Sequence, residues 1–274
     1  MCLILFLFIS HAFSLSYNER LEKNDKLLEG IEKVIDIKET NVSVYKKFSL
    51  TLYENKESVI NKIVEADLNH GEYMLQHMAN ILEPGDVMID IGLNLGFTSI
   101  IFAMLNPGVK IIGIEPSPEN YHLAMKNIKK YHLEDRITVI LAALSSDNKP
   151  LELAYSLENP GGSTTYYLKD GYYIWVRKYE VQSITFDELT YQYNLSTNNV
   201  RFIKMDCEGC EYDVIPKLSD NGKEIFLNAY SIGEVHYPCR DQNARKIIDQ
   251  IMYSFVGAGV PSKHAPLPSK RLRQ

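Results

Sequence analysis

Acidic residues in this chain recur where apolar runs end. Asp90 opens DIGLNLG (Asp90 to Gly96), Glu115 closes a run that starts at Val109, Asp206 and Glu208 follow VRFIKM (Val200 to Met205), and Glu234 and His236 close Tyr230 to Tyr237. Carboxylates and an imidazole in such places suit two tasks: accepting hydrogen bonds from hydroxyl or ammonium groups, and taking a proton from a reacting nucleophile. The glycines of DIGLNLG let a backbone loop approach a ligand with no Cβ in the way. Dinucleotide folds use G-x-G-x-x-G to set backbone N–H groups against a pyrophosphate, whereas the spacing here is G-x-x-x-G. An acid before such a loop favours a ligand bearing cationic and hydroxyl groups. S-adenosylmethionine, with its ammonium, sulfonium and ribose diol, fits that description, and Glu115 suits both ribose hydroxyls. An NAD-type oxidoreductase is the reading this spacing disfavours.

The elements that must position these groups can be traced in order. The turn Glu83 to Asp86 leads into a buried strand, Val87 to Ile91, and Phe97 to Leu105 reads as the helix after the glycine loop. Strands are expected at Val109 to Glu115, Ile137 to Leu144, Val200 to Met205 and Tyr230 to Tyr237, with a helix from Pro116-Ser-Pro-Glu119 to about His132. Leu151 to Ser156 and Tyr172 to Ile184 suggest a hairpin-like insertion around Asn159-Pro-Gly-Gly162. Its aromatics, Tyr155, Tyr166, Tyr167, Tyr172, Tyr173, Trp175 and Tyr179, either pack on the sheet or cover an acceptor. Gln242 to Phe255 reads as one helix and Gly257 onward as a tail. Open α/β sheets bind ligands outside the carboxyl ends of their strands, so all of the acids face one crevice if the strands are adjacent.

In sequence order, DIGLNLG, IGIEPSPEN (Ile112 to Asn120), AALSSD (Ala142 to Asp147), IKMDCEGCE (Ile203 to Glu211) and GEVH (Gly233 to His236) together resemble the FkbM-type methyltransferase family, from about Gly71 to His236. The resemblance implies an α/β, Rossmann-like class I methyltransferase, with a mostly parallel sheet and helices on both faces. It implies S-adenosyl-L-methionine as donor and a hydroxyl oxygen of a glycan or small molecule as acceptor. Carried over by residue, it puts Asp90, Gly92, Asn94 and Gly96 in the donor loop, Glu115 on the ribose and Ala142 and Ala143 under the adenine. Asp206, Glu208 and His236 then stand beside the transfer site, with His236 or Asp206 as the base. Leu93 replaces the alanine usual in the family, and Cys207 and Cys210 replace small or aliphatic residues. The last two strands of a class I sheet find no place in the sequence, so a donor-binding domain without catalysis is the second reading.

Composition agrees with one α/β domain plus appendages: 274 residues, 45% apolar and 23% charged. A net charge of -6 argues against nucleic acid as partner. The apolar run Cys2 to Ile9 is shorter than the roughly 20 residues that cross a bilayer. It suits a signal-peptide core, with small residues at Ala12, Ser14 and Ser16 for cleavage. The sequons at Asn41 and Asn194 fit the same secretory route. The expected division is a leader over 1–16, an N-terminal segment over 17–70, the methyltransferase domain over 71–256 and a tail over 257–274. Within the second of these, Tyr17 to Lys38 suggests an amphipathic helix whose charges form a solvated face, Phe48 to Tyr53 a strand and Ser58 to Asp67 a helix, while Gly71 to Leu82 reads as the helix that leads from it into the strand before the glycine loop. Cys207 and Cys210 form a C-x-x-C for which a disulfide is open. Zinc, with His236 and Cys239, and a divalent cation on the carboxylates are the lesser alternatives, and no metal is expected.

Overall fold

A computed structural model describes residues 15–44, 48–58, 82–157, 159–166, 177–236, 242–251, 253–256 and 260–261. The leader and the expected helices at Ser58 to Asp67 and Gly71 to Leu82 lie almost wholly outside these residues. So do Tyr167, Tyr172, Tyr173, Trp175 and Cys239.

The N-terminal segment departs from its expectation. Helix α1 is Tyr17–Asp25, started by a Ser16–Glu19 capping box. Two short 3-10 turns follow, and Ile37 already begins a strand. Two polar side chains of α1 are buried, at 3% exposure for Arg20 and 1% for Asn24. Arg20 donates to Ser183 O at 3.0 Å and pairs with Glu188. Asn24 bridges Leu141 O at 2.7 Å and the backbone of Gln182. The charges of this segment therefore do more than face water: two polar side chains join it to the sheet.

Strands β1 (Ile37–Val44) and β2 (Phe48–Asn55) form an antiparallel hairpin. Next come β3 (Val87–Ile91), α2 (Phe97–Leu105), β4 (Lys110–Glu115), α3 (Pro118–Lys130) and β5 (Ile137–Leu141). Their apolar runs are those of parallel strands covered on both faces. Ser117 caps α3 by accepting from Asn120 N, and Pro118 occupies its first turn.

The third core strand stops at Leu141, short of the expected Leu144. The chain then leaves the sheet, and β6 (Ala143–Leu144) pairs with β9 (Ser183–Ile184) after the hairpin of β7 (Leu151–Tyr155) and β8 (Arg177–Val181). Helix α4 (Phe186–Gln192) follows, then β10 (Val200–Met205), α5 (Glu211–Val214), α6 (Asp220–Asn228), β11 (Tyr230–Val235) and α7 (Gln242–Ile251).

The expected helix over Gln242 to Phe255 ends at Ile251. β12 (Tyr253–Val256) adds to β11 in parallel, and β13 (Val260–Pro261) adds to β12 antiparallel. Ser254 and Val256 alternate with aromatics and register on Gly233 and Val235, so strand pairing overrides the helical pattern there. The sheet order is β13-β12-β11-β10-β3-β4-β5, so the strands that found no place in the sequence form its far edge.

Alternation along the strands divides the core. Val87, Ile89, Ile91, Ile203 and Met205 face a layer holding Phe186, Phe226 and Ile248 from α4, α6 and α7. Met88, Ile111 and Phe202 face α2, α3 and the β1–β2 hairpin. Asp90 belongs to the second series, which decides its role. Among the described residues, no helix is long and apolar enough to cross a membrane.

Candidate active site

A cleft opens at the carboxyl ends of β3, β4 and β10. One wall is the glycine loop with Leu93 to Leu95 and the first residues of α2; Glu115, Asn120, Asn159 and Gly161 form a second, and Asp206, Cys207, Glu208 and Glu234 a third. Thr40, Val42, Leu52 and Glu54 of the hairpin close it.

Gly92 has φ +80, and its amide donates to Ile114 O at 3.0 Å. The position tolerates no side chain, because a Cβ there would lie 1.8 Å from Asp206 O. The glycine loop and the acid loop after β10 are thus in direct backbone contact. Asn94 N donates to Glu115 Oε2 at 2.7 Å, and Ser117 N donates to Oε1 at 2.9 Å. Burial nevertheless lifts Glu115 to about 7, against these hydrogen bonds.

Asp90 sits beneath the loop and off the cleft wall. It is fully buried, accepts from Ser99 Oγ at 2.6 Å, and lies 3.3 Å from Lys204 Nζ. Lys204 is its direct register partner across β3 and β10. The lysine also donates to Gly92 O at 2.7 Å and stands 3.8 Å from Asp206. Burial opposes its charge, but Asp90 and Asp206 outweigh that and keep it protonated. The cationic group expected to meet Asp90 is therefore the protein's own lysine.

Gly96, with φ +77, starts α2 and also stays off the cleft wall. Ala142 and Ala143, expected under the adenine, likewise lie off the cleft wall. They are 0% and 2% exposed, and Ala143 packs on Leu153 and Val181, because the chain turns out of the sheet there. The cleft wall on that side is Asn159 to Gly161 with Ser163 instead.

The segment between Asp206 and Glu211 is closed by a Cys207–Cys210 disulfide, which takes both sulfurs from any zinc site. Glu208 (φ +55) and Gly209 (φ +113) make the turn between the cysteines. Glu211, fully buried, accepts from Cys207 N at 3.1 Å and Gly209 N at 2.9 Å. Thr164 Oγ1 donates to Glu208 O at 2.6 Å.

His236 lies among carboxylates: Nδ1 is 3.0 Å from Glu211, and Nε2 is 3.3 Å from Glu208 and 3.5 Å from Asp206. Burial works against a charged ring, yet Glu208 and Glu211 hold its pKa well above the ordinary value. Burial raises Glu208, with His236 opposing. Ligand atoms of Asp206, Glu234 and His236 fall within 4.8 Å of one another, so they could take a divalent cation once the imidazole lost its proton.

Of the expected aromatics, Tyr155 is core, Tyr166 OH donates to Asp213 at 2.9 Å and Tyr179 OH to Glu119 at 2.6 Å. The sequence reading missed Lys204, Asn120, Asn159, Glu211 and the hairpin residues.

The profile described as Methyltransferase FkbM domain matches residues 90–255, more than half of the chain. The chain belongs to the FkbM methyltransferase domain family. Residues 11–146 also match the protein-L-isoaspartate(D-aspartate) O-methyltransferase profile.

Two curated relatives of this FkbM-domain chain are methyltransferase sdnD of Sordaria araneosa and O-methyltransferase imqG of Aspergillus flavus. The first is 28% identical over 103 residues, 37% of this chain and 40% of the relative. The second is 36% identical over 55 residues, 20% of this chain and 22% of the relative. The chain thus spans less than half the length of either. Among solved structures, a methyltransferase from Geobacter sulfurreducens in complex with S-adenosyl-L-homocysteine is 24% identical at a TM-score of 0.25, covering 28% of this chain and 31% of that one. One from Agrobacterium tumefaciens is 12% identical at a TM-score of 0.38, covering 69% and 51%.

The cofactor that goes with the FkbM domain is S-adenosylmethionine. The residues present fit it. Buried side-chain oxygens of Asn94, Asn120 and Asn159 on the cleft wall have no hydrogen-bond partner among the described residues, and Glu115 accepts from Asn94 N and from Asn120 Nδ2. The ribose hydroxyls and the adenine amino group of S-adenosylmethionine would supply donors of the kind these oxygens lack.

Proposed function

We propose that this chain is an S-adenosylmethionine-dependent O-methyltransferase acting on a hydroxyl of a glycan or small molecule. The observation that carries the reading is the contact of the donor loop with the acid loop at Gly92 and Asp206, which lines one cleft with Glu115 on one side and Asp206, Glu208 and Glu234 on the other. The bound sulfonium supplies an activated methyl group. The chain's own residues have two tasks: holding the acceptor oxygen in line with the methyl carbon and the departing sulfur, and taking the acceptor's proton.

Asp206 suits the second task better than His236. It lines the cleft, whereas His236, held protonated by Glu208 and Glu211, has no lone pair to offer. His236 then acts as the cation that fixes those carboxylates. The reading of a donor-binding domain without catalysis rested on unplaced strands, and β12 and β13 remove that ground.

A labelled-methyl screen against glycans and small alcohols tests the activity, with Asp206→Asn as the decisive variant. Loss of turnover at saturating donor is expected, and wild-type turnover would refute the base. The secretory route is proposed on the Cys2 to Ile9 run, the exposed sequon residues Asn41 and Asn194, and the disulfide. A glycosidase-sensitive mass shift of the secreted chain tests it.

A further inference from the structure

Alternation along β2 places Leu50, Leu52 and Glu54 on one buried face, at 2%, 4% and 1% exposure. An acid in series with two leucines calls for a partner. Oε1 has one, since it accepts from Thr40 Oγ1 at 2.5 Å and faces Lys38 Nζ at 3.4 Å. Oε2 is shut off from solvent with no hydrogen-bond partner among the described residues, and Glu54 lines the cleft. Burying a carboxylate oxygen with nothing to bond is costly, so an orphan of this kind beside a cleft marks where a ligand completes the pairing.

Its position identifies which part of the ligand. Asn127 of α3 holds Tyr53, the neighbour of Glu54, at both its N–H (2.6 Å) and its carbonyl (3.1 Å), and the same amide donates to Leu95 O in the glycine loop at 3.0 Å. Val42 and Leu52 pack in one cluster with Leu93 and Phe97. Glu54 therefore stands by the glycine loop. Asp90, the acid expected there, is fully buried and paired with Lys204, which leaves Glu54 to meet a cation at that end of the cleft.

We propose that Glu54 Oε2 accepts a hydrogen bond from the α-ammonium group of the methionine portion of S-adenosylmethionine. An ammonium supplies both the donor and the countercharge; a hydroxyl supplies only the first. The assignment rests on the cleft being the donor site, and the residue lies outside the segment 90–255 that the family profile matches.

Calorimetry on the full chain with two probes tests it. S-adenosylhomocysteine carries the ammonium, and 5′-methylthioadenosine has the same nucleoside without the amino acid. Glu54→Gln should raise the Kd for S-adenosylhomocysteine by about tenfold to a hundredfold, the weight of a charge-assisted hydrogen bond. It should leave methylthioadenosine within about twofold, while the ligand-free Tm reads separately what the loss of the Lys38 pairing costs the fold. Equal weakening of both probes, or of neither, would overturn the proposal. Wild-type protein that bound neither probe would sink the donor reading itself, and this assignment with it. Should the glutamine variant fail to fold, Glu54→Asp keeps the charge but shortens the arm, and must show the same selective loss on a smaller scale.

Discussion

Gly92 and Gly96 are both in the left-handed region, at φ +80 and +77, and alanine at either costs about 1 to 2 kcal/mol in backbone strain. Their surroundings separate them. At Gly96 a Cβ would meet nothing closer than 3.6 Å, whereas at Gly92 it would lie 1.8 Å from Asp206 O and 2.8 Å from Asp206 C. Relieving that overlap means opening the gap to an ordinary contact of about 3.4 Å, which drives the donor loop and the proposed base more than 1 Å apart. A misplacement of about 1 Å typically costs on the order of a hundredfold in rate. Gly92→Ala should therefore lose at least about a hundredfold in kcat/KM, while Gly96→Ala loses no more than the about fivefold to thirtyfold equivalent of its strain alone. Thermal unfolding should show a Tm loss for both, larger for Gly92→Ala because the overlap with Asp206 adds to the strain they share, so activity is compared well below either Tm. Equal activity losses, or a Gly92→Ala enzyme within fivefold of wild type, would refute the claim that this contact sets the spacing of the site.

Lys204→Met leaves Asp90 buried without its cross-strand partner; denaturant unfolding should show a loss of about 3 to 5 kcal/mol, largely restored by adding Asp90→Asn. Because burial lifts Glu115 from 4.5 to about 7, the stability it contributes is fully present below pH 4.5 and lost as pH rises through about 7. Ribose hydroxyls favour the ionised form, so donor affinity should climb between pH 6 and 8; calorimetry on Glu115→Gln, which cannot ionise, should show no such climb. Reducing Cys207–Cys210, or the double serine variant, should cost about 2 kcal/mol for so short a loop and lower turnover by loosening the segment between Asp206 and Glu211, as read by Tm and the methyl-transfer assay. No change in either would show that the hydrogen bonds to Glu211 suffice.

The strands and helices nearest DIGLNLG were legible because their signals are local. Val87 to Ile91 is a continuous apolar run, and Phe97 to Leu105 is bounded by a glycine and by Asn106-Pro-Gly108. What sequence spacing does not carry is the pairing of strands far apart in the chain. Asp90 reads as a ligand-facing acid until β10 is laid beside β3, which puts Lys204 directly across from it. Ala142 reads as the end of a strand until β9, some forty residues on, draws the chain out of the sheet. β12 is hidden because its four residues continue the apolar pattern of α7, and only the open edge of β11 makes them extended. Glu54 was within reach: an acid at period two from Leu50 and Leu52 is a buried-face residue by alternation alone.

The family profile begins at Asp90, yet the folded unit does not. Asn24 occupies the carbonyls of Leu141 and Gln182, and Arg20 that of Ser183, at the seam where the chain leaves the sheet. A protein trimmed to the profile would expose those acceptors to water, open one side of the cleft and strip the cover from Leu93 and Phe97. The reach of the FkbM profile and the reach of the contacts that hold this sheet and cleft together are thus different lines on this chain, and the second extends at least to α1, some seventy residues earlier.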